Sequence, residues 1–243
     1  MDLPVFFSLL NYAAVLFFGV TASLSLADIP VREHWPIYLK SYLAFGVVQI
    51  LFYLLLGENA LYKCYPLLIH LPLVLLIHFM LKKNIFMSLI AVLSAYSLCT
   101  PRKWIGTLVS SFWNYDPTIA NVVSTIATFP LLFLVVRYMT PHIVKLKQEN
   151  QTTLTLLLLL PLSYYILEYS LTVYTDLLYS GGAVAIDFMD SFLVLLYFLL
   201  SILSIETSSK RNQAEQENLI LVTAAVQAQK EITQLSLADK QSA

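Results

Sequence analysis

From Ala183 to Ile205 the chain reads AVAIDFMDSFLVLLYFLLSILSI, an unbroken apolar run whose only charges are Asp187 and Asp190. A helix of about 23 residues is roughly 34 Å long, enough to cross a hydrocarbon core of about 30 Å. Runs of this kind recur from the N-terminus onward. Apolar and polar residues do not alternate within them, so the spanning element is a helix and not a barrel strand. The sequence is 58% hydrophobic and 12% charged, more apolar surface than a soluble domain of this length hides. The expected fold class is all-α: a polytopic transmembrane helix bundle of about seven spans with a C-terminal cytoplasmic coiled-coil helix, its first partner the lipid bilayer.

The expected spans are 4–27, 37–56, 61–81, 85–99, 118–139, 152–174 and 183–205. Pro30 and Pro36 punctuate the first loop, DIPVREHWP, and GENALYKCYP turns the chain after the second span. Thr100, Pro101, Arg102 and Lys103 are expected to stop the fourth. The stretch WIGTLVSSFWNYDP, 104–117, is too short to cross and reads as interfacial. Asp2, with no Lys or Arg nearby, precedes the first run, so it reads as a retained helix and not a cleaved signal peptide. Cys64 and Cys99 fall in or beside apolar segments and imply no disulfide framework.

Basic residues set the orientation. With the C-terminus in the cytoplasm and seven spans, the inner loops hold Arg32, Lys40, Lys82, Lys83, Arg137, Lys145, Lys147, Lys210 and Arg211. The outer loops hold Lys63, Arg102 and Lys103. That agrees with the positive-inside rule and puts the chain in the plasma membrane with its N-terminus outside. Six spans, with 85–99 buried or re-entrant, spoil the alternation.

The last run continues without Pro or Gly into a polar, helix-favouring tail, so residues 1–206 read as a transmembrane sensor domain and 207–243 as a cytoplasmic signalling helix. Ala214, Asn218, Leu221, Ala225, Ala228, Ile232 and Leu235 follow at spacings of four and three. One apolar stripe with a single core Asn suits a parallel homodimer, and tethering to a membrane raises the effective concentration of the second copy. The alternative is a monomeric amphipathic helix lying on its own bundle.

Ionisable groups in lipid cost at least about 2.5–3.5 kcal/mol at mid-depth, so each needs a reason. His70 and His78 lie near one face of the third span, without a carboxylate or Cys at helical spacing to complete a metal site. They read as hydrogen-bonded bundle histidines. Glu168, Asp187 and Asp190, with Tyr169, Tyr174 and Trp113, are the candidate lining of an outward-facing ligand pocket. Arg102, Lys103, Trp104 and Tyr115 stand at the same level and offer its other wall. The competing reading is interfacial anchoring by Tyr and Trp beside solvated carboxylates.

The chain carries no P-loop, HExxH, GxSxG or CxxC motif. No catalytic residue, metal or cofactor is therefore assigned, and the net charge of −1 gives no argument for nucleic acid.

The runs LLLLPLSYYILEYSLTVYTDLLYS, AIDFMDSFLVLLYFLLSILSIE and QENLILVTAAVQAQKEITQLSLADKQSA resemble the membrane-sensor half of bacterial GHKL-type sensor histidine kinases, relatives of agr-type quorum-sensing receptors. The resemblance covers about residues 141–243. It implies a signal helix leading into a dimerisation helix with a phospho-accepting His, followed by an ATP-binding domain. The sequence ends about where that His motif is expected, and no residue here matches it. The resemblance thus implies a sensor truncated before its kinase: a truncated gene, a fragment, or a sensor that works only in trans with an intact histidine kinase, with an extracellular ligand in each case. The rival reading is a small polytopic transporter or transport-accessory protein, against which stands the lack of a convincing internal repeat. An intramembrane protease would need convergent acids and histidines at one depth, which Glu168 alone does not supply.

Overall fold

The computed structural model describes residues 3–146, 151–173 and 183–241. Among these, every regular element is helical and none is a strand. Helix α1 spans Leu3–Leu26, α2 Val31–Met80, α3 Ile85–Ser110, α4 Pro117–Lys145, α5 Gln151–Glu168 and α6 Ala183–Gln241. A π-helical turn, Tyr169–Val173, extends α5. Among the described residues, α1, α2, α3 with its terminal turn, and α4 are long and apolar enough to cross a membrane. Their outward side chains are those a bilayer would cover: Leu43, Val47, Ile50 and Leu54 on α2, and Phe129 and Phe133 on α4, are all exposed. Contacts divide the chain into two units, Met1–Ser201 and Ile202–Ala243.

Helix α2 is not one rod. Gly57 has φ 82° and ψ 175°, a conformation essentially reserved for glycine. The Tyr65 hydroxyl donates to Gln49 Oε1 at 3.4 Å, across a separation of 16 residues. A straight helix of that length would part them by about 24 Å. The chain therefore reverses at Gly57, and the limbs 31–56 and 58–80 run antiparallel. The loop expected over GENALYKCYP contracts to this one residue, and 58–65 are helical.

The first limb also runs antiparallel to α1. The Thr21 and Tyr42 hydroxyls lie 2.6 Å apart and those of Ser25 and Tyr38 3.3 Å. Nearer the start of α1, Tyr12 faces Tyr53 at 6.5 Å between ring centroids, and Ser8 Oγ donates to Glu58 Oε1 at 3.0 Å. Partner numbers on α2 rise as those on α1 fall. At the opposite end of this hairpin, Lys83 Nζ lies 3.6 Å from Asp28 Oδ2 and donates to its carbonyl at 3.1 Å. That contact joins the α1–α2 and α2–α3 turns.

Helix α3 is the centre of the larger unit. In its apolar window 72% of residues are buried, against 22%, 17% and 33% for α1, α2 and α4. It packs on α1, α4 and α5. Small residues permit the approach: Ser88, Ala91, Ser94, Ala95, Ser97 and Gly106 are all buried on it. A Cβ on Gly106 would fall onto Ser124 Oγ and 2.6 Å from the Ala120 carbonyl oxygen of α4. Buried hydroxyls close on their own helices, as Ser97 Oγ does on the Leu93 carbonyl at 2.9 Å and Thr128 Oγ1 on the Ser124 carbonyl at 2.8 Å.

The sequence signals that should stop this helix do not. It passes through Pro101, Arg102 and Lys103 to Ser110. Neighbouring helices hold both sides of the proline, which is how such a residue is accommodated inside a bundle. Tyr164 of α5 donates to Thr100 Oγ1 at 3.0 Å, and Arg102 turns inward to bond Cys99 Sγ at 3.2 Å and Asn11 of α1. Half of the segment read as interfacial, 104–117, is thus the last turns of α3. What remains is the short turn Ser111–Trp113 and a tight link to α4 in which Asn114 and Tyr115 adopt positive φ. Phe112, Trp113 and Tyr115 are exposed there, as aromatic residues at a membrane interface are.

A side-chain cap closes the α4 end of that link. Asp116 Oδ1 accepts from the Thr118 and Ile119 amides at 2.7 and 3.3 Å, satisfying N–H groups that have no partner within the helix. Asp116→Ala is expected to cost about 0.5–2 kcal/mol, read as a lowered thermal midpoint in detergent. An unaltered midpoint would show that the cap contributes nothing.

In the second unit, the α6 residues 210–232 are exposed. Ion pairs at helical spacing line it, Lys210 with Glu206 at 3.4 Å and Arg211 with Glu215 at 3.5 Å. Each contributes at most a few tenths of a kcal/mol.

Candidate functional site: a polar cavity inside the helix bundle

Three helical stripes converge on one space. On α1, Asn11, Val15, Gly19 and Ser23 follow at intervals of four. On the second limb of α2 the stripe is Glu58, Tyr62, Tyr65, Ile69 and Leu73, and on α3 it is Val92, Tyr96, Thr100, Lys103 and Thr107. Spacings of three and four put each set on a single helix face. Asn121 of α4 and Glu168, Tyr169 and Thr172 of the α5 end complete the wall. The cavity they enclose measures about 790 Å³, within the size range of small-molecule sites.

Exposure gives the cavity a direction. Glu58, Asn59 and Lys103 are exposed and form its mouth, while Leu73 and Val92 are buried and form its floor. Every wall turns its mouth-level residues toward one end of the bundle: the start of α1, the Gly57 turn, and the ends of α3 and α5.

Arg102 lies between mouth and floor and is only 7% exposed. Its Nη1 donates to Asn11 Oδ1. The Asn11 Nδ2 in turn donates to Asn121 Oδ1 at 3.0 Å, so one amide couples the guanidinium to α4. The other bond of Arg102 goes from Nε to Cys99 Sγ. Both partners are neutral, and among the described residues no carboxylate lies within ion-pair distance of Arg102. Lys103 Nζ lies 5.9 Å from the centroid of the Tyr62 ring.

An aromatic cluster ties α2, α3 and α5 together. His70 Nδ1 and the Tyr165 hydroxyl are 2.8 Å apart. Ring centroids lie at 5.2 Å for His70 and Tyr65, 5.0 Å for His70 and Tyr96, 4.9 Å for Tyr96 and Tyr165, and 4.8 Å for Tyr165 and Tyr169. Such pairs contribute about 0.5–1.5 kcal/mol each beyond their area, so this wall is firm. Glu168, 4% exposed, brings a carboxylate to it.

Of the sequence candidates, Glu168 and Tyr169 line the cavity, and Arg102 and Lys103 stand on another wall. Trp113 does not line it; it is 57% exposed on the turn after α3. Tyr174 lies outside the described residues, and so do the side chains of Asp187 and Asp190, whose backbone forms the first turns of α6. Asn11, Glu58, Tyr62, Tyr65, Tyr96 and Asn121 are among the lining residues that sequence reasoning missed. Asn11 carried a usable signal, an amide within an otherwise apolar run. The His78 imidazole is engaged elsewhere, donating from Nδ1 to the Lys83 carbonyl at 2.8 Å.

Among the described residues no three His, Cys, Asp or Glu side chains converge as metal ligands do. The groups present are suited to holding a ligand: an inward guanidinium, fixed amides, phenols and an apolar floor. On the tail, Asn218, Leu221, Ala225, Ala228 and Ile232 are exposed, and the Leu235 side chain lies outside the described residues. No protein-family model, no curated protein and no solved structure matches the chain.

Proposed function

We propose that this chain is a membrane sensor module that converts occupancy of the cavity into a change in its C-terminal helix. The observation that carries the reading is α6, a helix from Ala183 to Gln241 with no Pro or Gly in it. Its apolar part touches the cavity wall indirectly. The Tyr197 hydroxyl donates to the Leu157 carbonyl of α5, and α5 ends in Glu168 and Tyr169. A ligand with different affinities for two arrangements of α5 and α6 shifts the balance between them by that difference.

The reading includes about seven passes, N-terminus outside and C-terminus cytoplasmic. The reversal at Gly57 supports counting Val31–Met80 as two of them. It also includes a homodimer through the seam Asn218, Leu221, Ala225, Ala228, Ile232 and Leu235, and the resemblance to GHKL-type kinase input domains, with an intact kinase as the partner in trans. Exposed Leu221 and Ile232 favour the seam.

The test is a full-length chimera in which a GHKL kinase core follows residue 243 and drives a transcriptional reporter. Ser208→Pro interrupts α6 at a cost of about 3 kcal/mol and is expected to abolish the reporter response while leaving membrane insertion intact. A Ser208→Pro chimera that responds like its parent overturns the proposal.

Transport is the second reading. Among the described residues four single-turn π-helical segments interrupt or end α2, α4 and α5, at Pro66–His70, Leu76–Met80, Val135–Met139 and Tyr169–Val173, and such turns concentrate at functional sites. Solute flux in liposomes, unaffected by Ser208→Pro, would favour it.

A further inference from the structure

We propose that the cavity binds an amphiphilic organic monoanion, its carboxylate or phosphodiester head on Arg102 and its aromatic or alkyl body directed toward Leu73 and Val92. The inference concerns the cavity alone and stands whether the chain signals or transports.

The starting point is a charge that no described residue pairs with a carboxylate. Arg102 is more than nine-tenths buried, lines the cavity and, among the described residues, bonds only the neutral Asn11 and Cys99. A guanidinium has five N–H donors in a planar fork that matches a carboxylate. A buried cation without a counterion is costly, and an anion entering the cavity removes that cost. The fork is also held in place. Asn11 spends its oxygen on Arg102 and its NH₂ on Asn121, so the guanidinium is oriented before a ligand arrives. Lys103 at the mouth favours entry of negative charge.

The rest of the space defines the body of the ligand. Below Arg102 the lining turns to phenol faces and then to Leu73 and Val92. Gly19 faces this lower part, and a Cβ added there meets nothing within 4 Å. A second negative charge on the body would confront Glu168, which restricts the ligand to one.

Such an anion reaches the cavity either as a free carboxylate or as the head of an anionic lipid, and the experiment separates the two. The full chain is reconstituted in phosphatidylcholine nanodiscs and titrated with 3-phenylpropionate and decanoate, with 3-phenylpropionamide as the uncharged control. Binding of an acid roughly tenfold or more tighter than of the amide is expected, from a charge-assisted bidentate contact. Arg102→Gln should weaken it to a similar degree and Arg102→Lys less. Gly19→Leu keeps Arg102 and fills the floor, so its loss of binding does not depend on whether the arginine variants fold.

Nanodiscs containing phosphatidylglycerol supply the other arm. Competition by this lipid against 3-phenylpropionate, abolished by Arg102→Gln, supports the same site with lipid as its occupant. Acid and amide binding alike, full binding in Gly19→Leu, or no binding by either acid in phosphatidylcholine would each overturn the proposal.

Discussion

Gly106→Leu is expected to separate α3 from α4 and to leave a protein that aggregates on extraction or melts far below the parent. The side chain has nowhere to go. Its first carbon would lie 2.6 Å from the Ala120 carbonyl oxygen, a backbone atom, and against the Ser124 hydroxyl, whose residue is 4% exposed. The carbonyl cannot swing aside, so the helices must part. Overpacking of this kind costs about 1–3 kcal/mol where a core can adjust, and more where backbone is the obstacle. Between helices in lipid the loss is felt fully, because close packing and not water exclusion holds them together. Gly19→Ala is the matched control. Its new methyl enters open space, and the gain in helix propensity is about 0.5–1 kcal/mol. Size-exclusion profiles and thermal midpoints in one detergent compare the two. Equal behaviour of Gly106→Leu and Gly19→Ala would show that α3 and α4 do not approach as described.

Gly57→Ala is the second large effect. At φ 82° and ψ 175° an L side chain meets its own backbone, and strain of about 1–3 kcal/mol follows. The consequence reaches the cavity, since Glu58 and Asn59 follow the turn and form part of its mouth. The variant should straighten the turn and pull Tyr65 away from Gln49. Paired Gln49→Cys and Tyr65→Cys substitutions report this: they are expected to crosslink with a short bifunctional reagent when Gly57 is present and poorly when it is alanine. Equal crosslinking in both would mean that the reversal does not depend on glycine.

The helical, membrane-type character of the chain was legible because it rests on bulk properties: long apolar runs and few charges. Boundaries were less so. Pro101, Arg102 and Lys103 read locally as a stop, and only tertiary partners, Tyr164 on one side and Asn11 on the other, explain why α3 runs on. GENALYKCYP looks like a loop by composition, yet one glycine does the turning. At the site, Glu168 and Tyr169 stood out as polar groups late in an apolar run. Tyr65 and Tyr96 did not, because single tyrosines in apolar helices look like interfacial anchors until their rings are seen to meet at His70. Trp113 shares the expected level of the site along the chain, and level does not specify which way a side chain turns.

Helix α3 has a further implication, for how the protein is made. It is the least apolar of the four long helices and the most enclosed, and it carries Arg102. A nascent segment of that kind gains little from lipid by itself. Its lodging in the bilayer depends on α1, already synthesised, to receive the guanidinium, and on α4, still to emerge, to cover its glycine face. Assembly around α3 is therefore cooperative across distant parts of the chain, and the arginine that equips the cavity also makes insertion of its own helix conditional on its neighbours.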